Sequence, residues 1–435
     1  MSPVKVLIIT YYWPPAGGAG VQRWVKLTKY LNRYEMIPYV LTVDERYASY
    51  MQTDKSLEQD VAPHVNVYKT QSFEPVNYYA KVVGKKRVPT AGFSNESSRK
   101  PFRKLVNTLR THLFIPDPRR GWNRYAYRKA AALIQSEDIS LVITSGPPHS
   151  THLTGLKLQK KLRVKWIADF RDPWTDIYYY PLLGHSLFSH HQNKKLEKKV
   201  LVRSDRLITV SPSLKRSLSE KYRNIEASKI DVLPNGYDKA DFKTLEKTEH
   251  EAFTVCYTGT MADTYAPSVF FLALQEVAAL HPEAAIKIQI TGQVTERIKE
   301  QITGTGLPVV FTGTVAHSKV VEYQKNADLL LMVIPDVERA EGIVTGKLFE
   351  YLASENPMIC LGPENGDAAA IIEACAAGKT FNRNNRKGIV RYIEKVWGDF
   401  LSGKKPTPDP GEIGKFSREK QAGMIRKIAD GLLAE

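Results

Sequence analysis

Three glycines, Gly17, Gly18 and Gly20, stand in a turn between an apolar run and a helical pattern. Backbone N–H groups at a helix start bind anions, and glycine lets a phosphate come close. Glycine also serves a tight strand-to-helix turn for steric reasons alone, and both readings stand. The dinucleotide spacing GxGxxG fails, because Arg23 occupies the third position. A second stretch, Asp169-Phe170-Arg171-Asp172-Pro173-Trp174, ends an apolar run with three charges. A guanidinium at a strand end suits a phosphate or carboxylate, so Arg171 is a candidate for the active cleft. Its alternative is a structural pair with Asp169. Asp172 is a candidate too, or else the N-cap of a helix with Pro173 at its first position. His149, after the run Leu141–Thr144, is a possible acid/base or hydroxyl-binding group.

The second half holds Glu341-Gly342-Ile343-Val344-Thr345-Gly346-Lys347-Leu348-Phe349-Glu350. Gly342 and Gly346 open a helical pattern whose first turn carries Lys347. Free N–H groups plus an ammonium suit a diphosphate. Glu350 follows one helical turn later, where a carboxylate can accept two hydrogen bonds from a ribose diol. Singly, each would be an ordinary solvated helix residue. Together at one helix start they favour a nucleotide site.

The elements that must position these groups alternate. Val4–Thr10, Tyr39–Val43, Leu141–Thr144, Lys165–Phe170 and Arg206–Val210 read as buried strands separated by helical stretches. That βαβ rhythm predicts a parallel doubly wound sheet. It breaks at about residues 231–250 and restarts at Phe253–Thr260. Ile286–Thr291, Val309–Thr312, Leu329–Ile334 and Met358–Leu361 follow as further strands. Lys415–Leu433 reads as an amphipathic tail helix, with Phe416, Ile425, Ile428 and Leu432 on one side. The segment 81–129 interrupts the first half. There Phe102, Leu105, Val106, Leu109 and Leu113 form an apolar stripe among Arg99, Lys100, Arg103, Lys104 and Arg110. This basic helix suits either a bilayer interface or a core with a solvated face.

The chain has 435 residues, suggesting two or three domains, with 43% hydrophobic and 25% charged residues, as in globular proteins. Three cysteines without a CxxC exclude a disulfide framework or a cysteine-rich zinc module. They fit a reducing compartment. No apolar run reaches ~18 residues, so no membrane-spanning helix is expected. The net charge is +16, and it is lopsided. Residues 1–250 hold 42 Lys and Arg against 23 Asp and Glu, whereas residues 251–435 hold 20 against 23. A basic first half implies an anionic partner for it.

In order along the chain come Pro14-Pro15-Ala16-Gly17-Gly18-Ala19-Gly20, Ile208-Thr209-Val210-Ser211 and Leu233-Pro234-Asn235-Gly236-Tyr237-Asp238. Tyr257-Thr258-Gly259-Thr260, Phe311-Thr312-Gly313-Thr314-Val315 and Lys347-Leu348-Phe349-Glu350-Tyr351-Leu352-Ala353 follow. With these motifs the chain resembles the GT-B fold glycosyltransferases of the family 4, or group 1, type over nearly its whole length. The resemblance implies an α/β fold of two Rossmann-like doubly wound domains facing a central cleft. The N-terminal acceptor domain would span 1–245, with the basic insertion 81–129, and the donor domain 250–410. A tail helix at 412–435 would cross back to the first domain. It further implies sugar transfer from a nucleotide-diphosphate donor, usually with retention and without a metal or cofactor. Thr260, Gly313, Val315, Gly342, Gly346, Lys347 and Glu350 would contact the donor. Gly17, Gly18 and Gly20 would form a phosphate loop, with Gly18, His149, Arg171 and Asp172 at the reaction centre. There are departures from the family pattern. Its first glutamate would fall on Gly342, with Glu341 one position off. The Arg and Lys usual after Gly259 are absent, and many members carry a His after the strand where this chain has Phe170-Arg171-Asp172.

The expected partners are a nucleotide sugar and a glycan or lipid-linked acceptor, as in building a cell-envelope polysaccharide. Contact with an anionic inner membrane face is expected from a cytoplasmic protein, and no nucleic acid. The rivals are a sugar-nucleotide 2-epimerase on the same fold and a non-catalytic anion or nucleic-acid binder, for which no recognisable module is present.

Overall fold

The computed structural model describes residues 3–50, 52–74, 114–248, 250–283 and 285–434. The basic stripe Phe102–Leu113 lies outside them. The chain divides into two compact units, Met1–Pro234 with Gln421–Glu435, and Asn235–Lys420. The first boundary falls within the break at 231–250.

The first unit is built on a parallel sheet of order β3-β2-β1-β4-β5-β6-β7. Its strands are β1 (Val4–Thr10), β2 (Met36–Val43), β3 (Asn66–Thr70), β4 (Leu141–Gly146), β5 (Lys165–Phe170), β6 (Arg206–Thr209) and β7 (Ile230–Val232). Its helices are α1 (Ala19–Leu31), α2 (Asn123–Ser136), α3 (Ser150–Leu162), α4 (Leu187–Arg203) and α5 (Pro212–Lys221). Leu7 and Ile9 face one apolar layer and Val6 and Ile8 the other. Burial on both faces is why these strands read as unbroken apolar runs. The end of the segment 81–129 packs into the first unit. Trp122 is fully buried and Ala126 packs with it in the sheet's core.

The second unit repeats the plan with order β10-β9-β8-β11-β12-β13. The strands are β8 (Phe253–Thr258), β9 (Ile286–Thr291), β10 (Val309–Gly313), β11 (Leu329–Val333), β12 (Met358–Leu361) and β13 (Gly378–Phe381). The helices are α6 (Ser268–Leu280), α7 (Glu296–Thr303), α8 (His317–Lys325), α9 (Gly346–Ser354), α10 (Asp367–Ala374), α11 (Arg386–Leu401) and α12 (Pro410–Gly414).

The tail is two helices rather than one. α12 precedes α13 (Arg418–Ala434), and from Gln421 onward α13 belongs to the first unit. Ala422, Ile425, Ala429 and Leu432, at helical spacing, are buried against the layer of α1 and β1. Arg426 donates to the carbonyls of Tyr34 and Glu35 at 2.9 and 2.8 Å. Phe416, expected on this apolar side, instead packs against Phe349 of the second unit.

Each sheet has a point where strand order reverses, between β1 and β4 and between β8 and β11. Open α/β sheets bind ligands beyond the strand ends at such points. The candidate residues gather there.

Candidate functional site

In the second unit, β8 runs into Gly259, whose φ of +105° is open to glycine but not comfortably to other residues. A Cβ on neighbouring Gly292 would lie 2.1 Å from the Gly259 carbonyl oxygen, so the turn requires glycine at both places. Across from Gly259 stands the start of α9. Its N-cap, Thr345, makes no side-chain cap bond, and its buried Oγ1 has no partner. The first N–H groups of α9 therefore lack a side-chain acceptor.

Lys347 and Glu350, three apart on α9, share a face. The Lys347 amine donates to the Tyr257 hydroxyl at 2.7 Å and lies 4.1 Å from the centre of that ring. The Tyr257 hydroxyl donates to the Thr260 carbonyl, so its oxygen is left to accept from Lys347. The amine forms no ion pair among the described residues. Burial among Tyr257 and Tyr265 pushes its pKa down to about 7, opposed by the charge of Glu350.

Glu350 is held at both oxygens. Oε1 is 3.0 Å from His317 Nε2, and Oε2 accepts from Gln324 Nε2 at 2.9 Å. Gln324 Nε2 also reaches Thr258 Oγ1 at 3.0 Å, tying the carboxylate to the end of β8. His317 opens α8 and Gln324 lies seven residues on, two helical turns along the same face. Sequence reasoning missed both, and Tyr257 as well. The signal for His317 was its place two residues after Val315, at a helix start.

The other expected donor contacts fall around this network. Gly313 is exposed with φ +66° and Val315 is half-buried, both on the segment leading into α8. Gly342 ends a 3-10 turn before α9, and Glu341 in that turn is exposed with no partner among the described residues.

In the first unit, the structural pair of Asp169 is not Arg171. It is Arg23, fully buried on α1, whose Nη2 and Nε lie 2.9 and 3.1 Å from the carboxylate oxygens. Trp24 Nε1 and Ser145 Oγ also donate to Asp169, at 2.9 and 3.0 Å. Arg23 further donates to the carbonyls of Leu233 and Pro234. The residue that breaks the glycine pattern thus locks α1, β4, β5 and the segment after β7 together.

Arg171 is left without a carboxylate. Its Nη2 donates to the Pro147 carbonyl at 3.0 Å, and its buried Nε has no partner. A Cβ on Gly20 would sit 2.7 Å from Nη1, so the guanidinium lies against the first turn of α1. That turn has no acid, and its N-cap Gly18, at φ +96°, offers no side chain. Gly17 plays a different part. It donates to the Gln52 carbonyl at 3.0 Å and packs against the Gln52 side chain.

Asp172 does not cap a helix, because none begins at Pro173. Its carboxylate has no hydrogen-bond partner among the described residues. Burial raises its pKa, while Arg171 opposes that rise. His149 stacks on Trp174 with centroids 4.9 Å apart. Burial, then His152 and Arg171, holds its pKa well below the usual histidine range. His152 is fully buried and lowered to about 3 by burial and Arg171. Both rings are neutral at physiological pH.

These placements can be set beside known proteins. Residues 85–241 match the family model described as Glycosyltransferase Family 4. That span covers His149, Arg171 and Asp172 but not the second unit's site. No curated protein sequence matches the chain. Among solved structures, a glycosyltransferase from Rickettsia africae aligns with TM-score 0.63 and 15% identity, over 100% of this chain and 99% of that one. Anabaena HepE in complex with UDP-glucose aligns with TM-score 0.60 and 12% identity, over 98% and 99%. A Listeria monocytogenes protein described as a UDP-N-acetylglucosamine 2-epimerase aligns with TM-score 0.55 and 11% identity, over 98% and 95%. The fold is GT-B, shared with these solved structures, and residues 85–241 are similar to the family 4 glycosyltransferases.

Proposed function

We propose that this protein transfers a sugar from a nucleotide-diphosphate donor to a glycan or lipid-linked acceptor, with retention of configuration. The observation that carries this reading is the linked set on β8, α8 and α9: Tyr257–Lys347 beside His317–Glu350–Gln324. Lys347 and the free N–H groups of α9 take the diphosphate. Glu350, fixed at both oxygens, takes the ribose diol. As the sugar departs, negative charge grows on the β-phosphate, and a preplaced ammonium and helix start stabilise it there. The reading needs no metal or cofactor, since Lys347 supplies the cation. HepE, of the same fold, is a complex with UDP-glucose, which supports a nucleotide-sugar donor. The epimerase-like structure is less similar, and the basic first half has no purpose in an acceptor-free reaction.

Calorimetric titration with UDP, GDP and ADP identifies the nucleotide. Glu350→Ala should weaken binding of the preferred one at least ~10-fold, about 1.4 kcal/mol. Unchanged affinity would remove Glu350 from the site. Conversion of a sugar nucleotide without any acceptor would favour the epimerase.

No helix of the described residues is long and apolar enough to cross a membrane. A peripheral contact is part of the proposal, and the first unit supports it. Leu182, Leu187 and Phe188 are 73%, 90% and 60% exposed. Just beyond them Lys194, Lys195, Lys198 and Lys199 form an exposed stripe on α4. The helix's one acid, Glu197, is buried in an ion pair with Lys221. Apolar side chains at the edge of a cationic face match an anionic lipid surface.

A further inference from the structure

We infer that the acceptor carries an oxyanion, a phosphate or a carboxylate, which binds in the first unit at Arg171. This rests on the transferase reading and adds the chemical class of the second substrate.

A buried or half-buried arginine ordinarily has a carboxylate beside it. Arg171 has two in its immediate sequence and bonds to neither. Asp169 is spent on Arg23, Trp24 and Ser145. Asp172 forms no ion pair with it. The guanidinium is nevertheless fixed in place. Nη2 is held by the Pro147 carbonyl, and the backbone N–H of Arg171 donates to the Gly146 carbonyl at 3.3 Å. Nη1 rests where only a glycine at position 20 leaves room. A cation held this firmly, with a buried Nε–H unsatisfied, is prepared for an anionic partner.

Its surroundings favour the same ligand. The first turn of α1 adds free N–H groups and the positive end of a helix. The two nearby imidazoles are neutral, so they do not repel the guanidinium or compete for its anion. His152 provides a further donor. Thr144 Oγ1 accepts from Trp166 Nε1 at 2.8 Å, and its single proton has His152 Nδ1, 2.9 Å away, as its acceptor. That assignment places the ring proton on Nε2, which is fully buried and has no partner. The unmet hydrogen-bonding demand around Gly146 therefore includes two donors, Arg171 Nε and His152 Nε2. Asp172, beside them, is suited to accept a hydroxyl from the same acceptor.

The test titrates inorganic phosphate into full-length Lys347→Met protein, which lacks the second unit's cation, and follows ³¹P line broadening. Saturable millimolar binding is expected. Adding Arg171→Gln should weaken it at least ~10-fold, and Gly20→Ala, whose Cβ displaces the guanidinium but leaves its charge, should weaken it several-fold. Phenyl phosphate and benzoate, titrated in parallel, tell a phosphate from a carboxylate. Circular dichroism confirms that each variant is folded. Equal phosphate affinity with and without Arg171 overturns the inference. So does displacement of the phosphate by UDP, GDP or ADP, which would assign the site to the donor. Failure of the wild type to bind any nucleoside diphosphate would strike the transferase reading instead, and the phosphate titration would still decide the fate of Arg171 as an anion site.

Discussion

The two units solve the same problem in opposite ways. Each has a point where strand order reverses, and each places charged residues there. In the first unit that place holds Arg23 and Asp169, both fully buried and paired to each other with further donors and acceptors around them. In the second unit the corresponding place holds Lys347, whose partner is a neutral hydroxyl, and Glu350, held by a histidine and an amide. Charges whose work is structural neutralise one another. The charges proposed to meet a ligand are positioned by a hydroxyl, an imidazole and an amide. Arg171, held by a carbonyl, belongs with the second kind although it lies beside the first.

The largest effect should follow from breaking the structural pair. Asp169→Asn leaves the Arg23 guanidinium buried with no counter-charge. Removing one partner of such a pair costs about 3–5 kcal/mol. Urea unfolding should show that loss, with the midpoint shifted and the slope retained. A loss under 1 kcal/mol would mean that the pair is not what locks α1 to β5, and the contrast between the units would fail.

A smaller effect, visible only with ligand, should mark Lys347. The unliganded amine titrates at about 7, because burial among tyrosines disfavours the ammonium. A bound diphosphate favours the ammonium and raises that pKa. Above pH 7 binding must therefore take up a proton, and affinity for the preferred nucleoside diphosphate should fall as pH rises, by up to ~10-fold per unit. Below pH 7 the amine is already charged and this dependence vanishes. Lys347→Arg, always charged, should flatten the profile between pH 7 and 9, and Lys347→Met should lower affinity throughout. A wild-type profile that is flat over that range would separate Lys347 from the phosphates. The same shift acts on folding without ligand. From about pH 7 upward, until an ordinary lysine loses its proton, the unfolded chain holds the extra proton. Stability contributed by this group thus rises with pH across that window.

Much of the scaffold was legible because buried parallel strands announce themselves as apolar runs. Val4–Thr10, Lys165–Phe170, Ile286–Thr291 and Met358–Leu361 match strands residue for residue. β3, β7 and β13 were missed. β3 has no fully buried residue and β7 and β13 are short, with Asp231 and Lys379 interrupting their patterns. Lys347 and Glu350 could be singled out because both belong to one helix start, a local feature. Their partners could not. Tyr257 lies 90 residues from Lys347 and His317 33 residues from Glu350, and only the sheet order brings them together. Arg23 was noticed for disrupting a glycine pattern, but its partner is 146 residues away. The partition of Asp169, Arg171 and Asp172 into one structural and two unspent charges is likewise a fact of three dimensions. Proximity in sequence favoured the pair that does not form.

The smallest effect concerns the surface, where the units differ again. The excess of positive charge belongs to residues 1–250, and residues 251–435 carry a slight excess of negative charge. If that asymmetry serves a lipid surface, the first unit should carry the contact. Each lysine near an anionic leaflet adds about 1 kcal/mol, reduced by salt screening. An apolar side chain that enters the interface adds a part of the ~1.5–3 kcal/mol that complete burial would give. In sedimentation with phosphatidylserine-rich vesicles, Leu187→Ser with Phe188→Ser should lower binding several-fold at any salt concentration. Replacing Lys194, Lys195, Lys198 and Lys199 with Gln should lower it further, but chiefly at low salt, since exposed charges are screened. Nucleoside diphosphate affinity should be unaffected by either set, because the residues proposed to bind it lie on β8, α8 and α9. Equal sedimentation of wild type and both variants would move the contact away from α4 and the residues before it, and leave their exposure without this purpose.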